Sequence, residues 1–209
     1  VVRLLSLRLP SSAAPTAAAP TGEAEVLVRR ARAGEADAFR ALYERHGPAV
    51  WRFLRDLLRD EAAADEATQE TFVRAHARLG SLREGERVGA WLLGIARHVW
   101  REGRRGGVLT AAAGSAEECE AHADASAALP APSPEDLLLD RELEGHLGAA
   151  LGALREERRA ALLLRLDHGL AYEDIAGVMG WSLPKVKNEI HRARLQLREH
   201  LAPHLGRAP

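Results

Sequence analysis

The run from Tyr172 to Ile190, Tyr-Glu-Asp-Ile-Ala-Gly-Val-Met-Gly-Trp-Ser-Leu-Pro-Lys-Val-Lys-Asn-Glu-Ile, constrains this chain more than any other segment. Its spacing predicts two short helices joined by one tight turn. Ile175 and Met179 give the first helix an apolar seam, Ala176 is small enough for a second helix to cross closely, and Gly180 supplies the backbone freedom of a sharp turn. Val186, Ile190, Ala193 and Leu197 form the inner stripe of the second helix. The remaining faces carry Lys185, Lys187, Asn188, His191, Arg192, Arg194 and Arg198, side chains suited to gripping phosphates and reading base edges in a major groove. This is the pattern of a helix-turn-helix, and it points to duplex DNA.

A formal net charge of −1 means that such a surface must be a local patch balanced by acid elsewhere, unlike the basic footprint of a protein that coats DNA. At 209 residues, 46% of them hydrophobic, the chain is long enough for two small cores. Cys119 is the single cysteine, which excludes a disulfide framework and a cysteine-built zinc site and fits a reducing cytoplasm. The apolar N-terminal stretch is broken by Arg8 and Pro10 and is too short for a secretory signal, so residues 1–22 are expected to be a disordered leader. No segment approaches a membrane span.

Helical periodicity runs from residue 23 to about Arg105. Phe39, Leu42, Tyr43 and His46 share one face, Pro48 restarts the chain, and Val50, Phe53, Leu54, Leu57 and Leu58 make the next face. A third helix is expected over about Glu61 to Leu79, followed by a loop to Arg87 and a fourth helix with Val88, Trp91, Leu92, Ile95 and Val99 on one side. Between residues 106 and 134 the periodicity gives way to Ala, Gly, Ser and Pro with scattered acids, the composition of a flexible linker. Helical spacing returns at about Glu135 and runs through Leu139, Leu143, Leu147, Leu151 and Leu154 to Leu166, where His168-Gly169 ends it. The expected architecture is all-α: two small helical domains, 23–105 and 135–203, with a tail at 204–209.

Two further faces stand out. The fourth helix carries Arg97, Arg101 and Arg105 at successive i, i+4 steps, a stripe expected on its solvated side. Arginines on an exposed helix are ordinary by themselves; a second basic helix in the same chain favours nucleic acid. On the third helix, Asp65 and Gln69, and likewise Glu66 and Glu70, lie four apart and present carboxylates and an amide. No histidine in step, nucleophile or glycine-rich phosphate loop accompanies them, so a protein-binding face is favoured over catalysis or a metal, and no cofactor is expected.

The segment Asp65-Glu66-Ala67-Thr68-Gln69-Glu70-Thr71-Phe72, followed by Trp91-Leu92-Leu93-Gly94-Ile95-Ala96-Arg97-His98, resembles domain two of bacterial extracytoplasmic-function (ECF) sigma factors. The stretch from about Leu154 to Leu201 resembles domain four of the same family, with Tyr172-Glu173-Asp174-Ile175-Ala176 and Arg192-Ala193-Arg194 in place. The resemblance implies a dissociable promoter-specificity subunit of RNA polymerase with no catalytic residues of its own, and an anti-sigma partner. It assigns polymerase-core docking to Asp65, Glu66, Gln69, Glu70 and Phe72. It assigns the melted minus-ten element to Arg83, Trp91, Arg97, His98, Arg101 and Arg105, and the minus-thirty-five duplex to the second helix of the helix-turn-helix.

The chain departs from the family pattern at several positions. His98 stands where Asn is usual, so it either alters base preference or is a helix-surface histidine. Leu82 replaces an aromatic residue, Val88 a Phe, Arg155 a Pro, and Pro184-Lys185 a Gly-Thr pair whose helix Ser182 can still cap. Ala171 replaces a Ser or Thr cap, a loss of about 1 kcal/mol. A free-standing helix-turn-helix regulator is the alternative reading; the Asp65–Phe72 motif and the linker argue against it.

Overall fold

The structure, a computed structural model, describes residues 21–82, 87–105 and 134–205. Its helices are α1 (Thr21–Arg32), α2 (Ala36–Leu58), α3 (Glu61–Arg78), α4 (Val88–Arg105), α5 (Pro134–Ala153), α6 (Glu156–Leu166), α7 (Tyr172–Met179) and α8 (Leu183–Leu205), with a 3-10 turn at Leu79–Ser81 after α3. No strand occurs among the described residues. The leader to residue 20, the tail from 206 and the expected linker up to residue 133 lie outside them.

Pro48 does not restart the chain: α2 runs through it as one 23-residue helix. An interior proline costs about 3 kcal/mol in lost hydrogen bonding and steric conflict. Here it is outweighed, because Ala38, Leu42, Val50, Phe53, Leu54, Leu57 and Leu58 on both sides of it are buried in one core, each larger side chain contributing about 1.5–3 kcal/mol. Gly47 precedes the proline and has no Cβ to collide with its ring. The polypeptide then reverses at Arg59, which sits in the left-handed region at φ 57°. The Asp60 side chain accepts a 2.9 Å hydrogen bond from the Ala63 N–H and so caps α3. Inside α3, the buried hydroxyls of Thr68 and Thr71 donate to the carbonyls of Ala64 and Ala67, each at 2.7 Å, so neither hydroxyl is buried without a partner.

In the C-terminal half, the periodicity that spacing extends from Leu139 to Leu166 is broken at Leu154-Arg155, which separate α5 from α6. Leu154 is buried, and Arg155 adopts an extended conformation (φ −57°, ψ 136°) that turns the chain so that Ala160, Ala161, Leu163 and Leu164 bury in their turn. The expected left-handed glycine follows α6, with Gly169 at φ 65°. Gly180, at φ 64°, closes α7: the Trp181 N–H donates to the Ala176 carbonyl at 3.0 Å and the Gly180 N–H to that of Gly177 at 3.4 Å, a Schellman arrangement. Ile175, Met179, Val186, Ile190, Ala193 and Leu197 are all buried, as the amphipathic spacing predicts. Ala171 opens α7 with no side-chain cap.

The two halves do not stand apart. Helix α4 packs on α7 and α2 on α6, and the buried apolar residues of both halves form one continuous cluster. Two arginines cross this junction in opposite directions. Arg97 of α4 donates to the Val178 carbonyl in the last turn of α7 at 3.3 Å, and Arg159 of α6 donates to the Leu57 carbonyl at the end of α2 at 2.9 Å. Each helix end gains a donor for a carbonyl that lacks an intrahelical partner. Burial lowers the Arg159 pKa to about 10, with Arg59 and Arg104 nearby acting in the same direction and Asp56 against them.

Candidate nucleic-acid and partner-binding faces

On α3, Asp65, Glu66 and Gln69 are exposed and Glu70 is half-buried, so the helix presents the carboxylates and amide that spacing predicts. Asp65 is held in place by the Trp51 indole N–H, which donates to its Oδ1 at 2.7 Å. Glu70 accepts from the Arg74 Nε at 2.6 Å, and Arg74 also pairs with Glu102 on α4, holding that carboxyl below its ordinary range. Phe72 is only 4% exposed and packs edge-on against Tyr43 and Phe39, with ring centroids 4.7 and 6.4 Å away. Its place in the motif reflects the core behind the face. The exposed apolar surface there belongs instead to Tyr43 and Val73, at 45% and 64%. Val73 lies four residues after Gln69, the one signal by which the sequence could have placed it on this face.

The α4 face differs more. Arg83 lies outside the described residues, as does the side chain of Arg105. Trp91 is half-buried and His98 exposed; both line a cleft of about 460 Å³ together with Leu82 and Arg87, and Glu173 and Asp174 of α7 form its opposite wall. Arg97 is not on a solvated stripe. It is 3% exposed, because the row it shares with Arg101 faces α7 and the Glu157 carboxylate in the first turn of α6. The Arg97 Nε and Nη2 donate to Glu157 Oε2 at 3.3 and 2.8 Å, and Arg101 lies 3.4 Å from the other oxygen of the same carboxylate. Arg104 pairs with Glu156, and Arg87 stands 3.5 Å from Asp174. The sequence offers the acids at the starts of α6 and α7, but nothing in its spacing joins them to α4.

The α8 face is open. Lys185, Lys187, Asn188, His191, Arg192 and Arg198 are exposed, and Arg194 is half-buried. The Lys185 ammonium lies 4.5 Å from the centre of the Trp181 ring, which braces the first turn. Behind the face, Arg158 of α6 donates to Glu189 Oε2 at 2.7 Å and to Gln196 Oε1 at 2.8 Å, fixing the roll of α8 on its support. Sequence reasoning missed this network, because two polar residues on an outer face give no sign of an arginine reaching them from another helix. Among the described residues, no group of three or more His, Cys, Asp or Glu side chains is arranged to hold a metal ion, and no helix is long and apolar enough to cross a membrane.

The Sigma-70 region 2 family matches residues 42–107, and the Sigma-70 region 4 family matches residues 146–197. The chain is similar to the ECF RNA polymerase sigma factor BldN of Streptomyces coelicolor, 32% identical over 168 residues; this alignment takes in 80% of the chain and spans 61% of that relative's length. It is also similar to the ECF RNA polymerase sigma-E factor of Salmonella typhimurium, 30% identical over 188 residues, covering 88% of this chain and 96% of the relative. Among solved structures, CnrH in complex with the cytosolic domain of CnrY superposes with a TM-score of 0.62 at 26% identity, over 87% of this chain and 99% of that one. Regions 2 and 4 fall on the two helical halves, in the order that the motifs set out. The chain belongs to the ECF family of RNA polymerase sigma factors.

Proposed function

We propose that this chain directs RNA polymerase core to promoters as a dissociable specificity subunit in the cytoplasm, with binding as its only chemistry. Asp65, Glu66, Gln69 and Glu70 on α3, with Phe72 behind them, dock the core. Arg83, Trp91, Arg97, His98, Arg101 and Arg105 serve the melted minus-ten strand. Lys185, Lys187, Asn188, His191, Arg192, Arg194 and Arg198 hold the minus-thirty-five duplex. The observation that carries this reading is α8: a row of cations and an amide stands on the outer face of a helix whose inner residues Val186, Ile190 and Ala193 are wholly buried. Phosphate contacts supply most of the affinity and make it salt-dependent, while a few base contacts supply specificity. An anti-sigma protein that covers these faces belongs to the same reading.

The test is initiation. Purified chain added to sigma-free polymerase core on a template from upstream of its own gene should yield a specific transcript, and Asp65→Ala with Gln69→Ala should weaken core capture without loss of helical signal. Absence of any transcript, with duplex binding retained, would leave the free-standing regulator as the better account.

A further inference from the structure

An acid stands in the middle of the basic α8 segment. Glu189 falls between Asn188 and Arg192, where a free carboxylate would repel the phosphates that this helix is proposed to hold. Its side chain is only 19% exposed, and the Nε of Arg158, from α6, donates to its Oε2 at 2.7 Å. Arg158 is 15% exposed and holds Gln196 with its Nη1, so the guanidinium is fixed at two points along α8. This sheltered pair cancels the charge of the acid. The second oxygen, Oε1, stands 3.6 Å from the Nη1 of Arg192, an ion pair longer than a hydrogen bond. Arg192 is 64% exposed and lies one turn further along. Lys185, one turn earlier, has its ammonium over the Trp181 ring. One carboxylate thus joins an arginine behind the face to an arginine on it.

We infer that Glu189 is a positioning residue for base recognition: anchored from behind by Arg158, it braces Arg192 so that the guanidinium is presented to a guanine edge and withheld from the phosphates. This rests on the assignment of α8 to the minus-thirty-five duplex under the proposed function. An unbraced arginine on an exposed helix has wide rotamer freedom, and a phosphate contact is open to it on every sequence alike. Bidentate readout of guanine O6 and N7 demands one orientation of the planar fork. A carboxylate fixed beside one end of that fork removes part of the entropy lost on adopting it. The acid is not itself the reader. A carboxylate can accept from cytosine N4, but Arg158 occupies Oε2 and the side chain is mostly covered. A role in packing alone accounts for Oε2 and leaves the pairing of Oε1 with Arg192 unexplained.

The experiment uses the full chain and a pool of duplexes randomised over one helical turn, with the bound fraction sequenced at low and at high salt. Arg192→Ala should erase a guanine preference at one position, a loss of about tenfold in discrimination. Glu189→Gln keeps an acceptor for Arg158, and with it the seating of α8, but releases Arg192. Discrimination at that same position should fall by about threefold, the effect of one exposed ion pair. Binding to the rest of the pool should tighten and its salt slope steepen by about one, as the released Arg192 grips phosphate. A role in packing alone would instead weaken binding to every sequence and leave the base profile unchanged, and that outcome overturns the brace. Glu25→Gln, an equal charge change on the exposed side of α1, should alter neither readout; equal effects there would also overturn it. Circular dichroism should match the parent throughout. If Arg192→Ala loses the guanine while Glu189→Gln keeps the parent profile, the brace is wrong and the α8 assignment stands. If Arg192→Ala also keeps that profile, or the parent selects no sequence, Arg192 is not a base reader and the brace falls with that assignment.

Discussion

Helices α4 and α8 carry arginines at the same helical spacing and were given the same chemistry by their sequences, yet they meet opposite surroundings. On α8 the stripe from Lys187 to Arg198 looks outward, backed by Arg158 and its hydrogen bonds to Glu189 and Gln196. On α4 the row through Arg97 and Arg101 looks inward, onto the Glu157 carboxylate, 60 and 56 positions later in the chain. Spacing defines which residues share a face. What covers that face is decided by tertiary packing, and a basic stripe with acids elsewhere in the same chain has an internal ligand available.

The sharpest test of the contrast is to remove one arginine from each helix. Arg97→Ala takes the buried partner from Glu157, which keeps Arg101, and leaves the Val178 carbonyl without its donor at a packed junction; it should destabilise the folded chain by about 2–3 kcal/mol, below the range for breaking a fully buried pair because Glu157 stays partly hydrated. Arg198→Ala should stay within about 0.5 kcal/mol, as for an ordinary surface change. Urea unfolding of both variants measures the difference; equal losses would mean that the junction contributes little.

Acid provides the next test, because His46 packs beside Gly89 in the first turn of α4 while His191 and His200 lie on the surface of α8. Burial, helped by Arg45, lowers the His46 pKa to about 4. The unfolded chain takes up that proton near pH 6.5 and the folded chain only near 4, so stability falls as pH drops through this window and is flat below it. The His46 contribution should be about 2–3 kcal/mol between pH 7 and 4, trimmed for partial exposure. Burial of His168, which meets Phe53 of α2 edge-on across the junction, acts in the same direction. His46→Leu should flatten the pH dependence of the urea midpoint relative to the parent, and an unchanged slope would locate the acid sensitivity elsewhere.

Smaller effects separate the helices by function. Arg198→Ala should lower the slope of log affinity against log salt for duplex promoter DNA by about one, the loss of a single phosphate contact. A slope equal to that of the parent would move the docking face off this stripe. The smallest change concerns α7, which bears one of the acids that cover α4. Ala171 already has cap-like extended geometry (φ −64°, ψ 155°) but no side chain able to accept a hydrogen bond. Ala171→Ser should therefore stabilise the chain by about 0.5–1 kcal/mol in thermal unfolding.

Much of this fold was legible because its signals are local. The left-handed glycines 169 and 180, the buried seam from Val186 to Leu197 and the acid face of α3 all follow from the identities of neighbouring residues and helical period. The failures have a common cause. Pro48 obeys its local rule only until seven buried neighbours on the same stripe outweigh it, and the break at Leu154-Arg155 falls where the leucine spacing itself runs on unbroken. Arg97 was placed on a solvated stripe by spacing, and its burial depends on partners from other helices, Glu157 and Val178. Long-range burial leaves no trace in spacing.

The bond from the Trp51 indole to Asp65 has an optical consequence. An indole N–H that donates to a carboxylate at 2.7 Å, with the Arg55 guanidinium 5.2 Å from its ring centre, emits from a strongly polarised setting. A partner cation that takes up the Asp65 carboxylate weakens that acceptor and shifts the emission. Of the chain's four tryptophans, Trp51 is thus the one bonded to the residue expected to dock the polymerase, and a variant that keeps Trp51 alone lets a titration be followed there without an attached label.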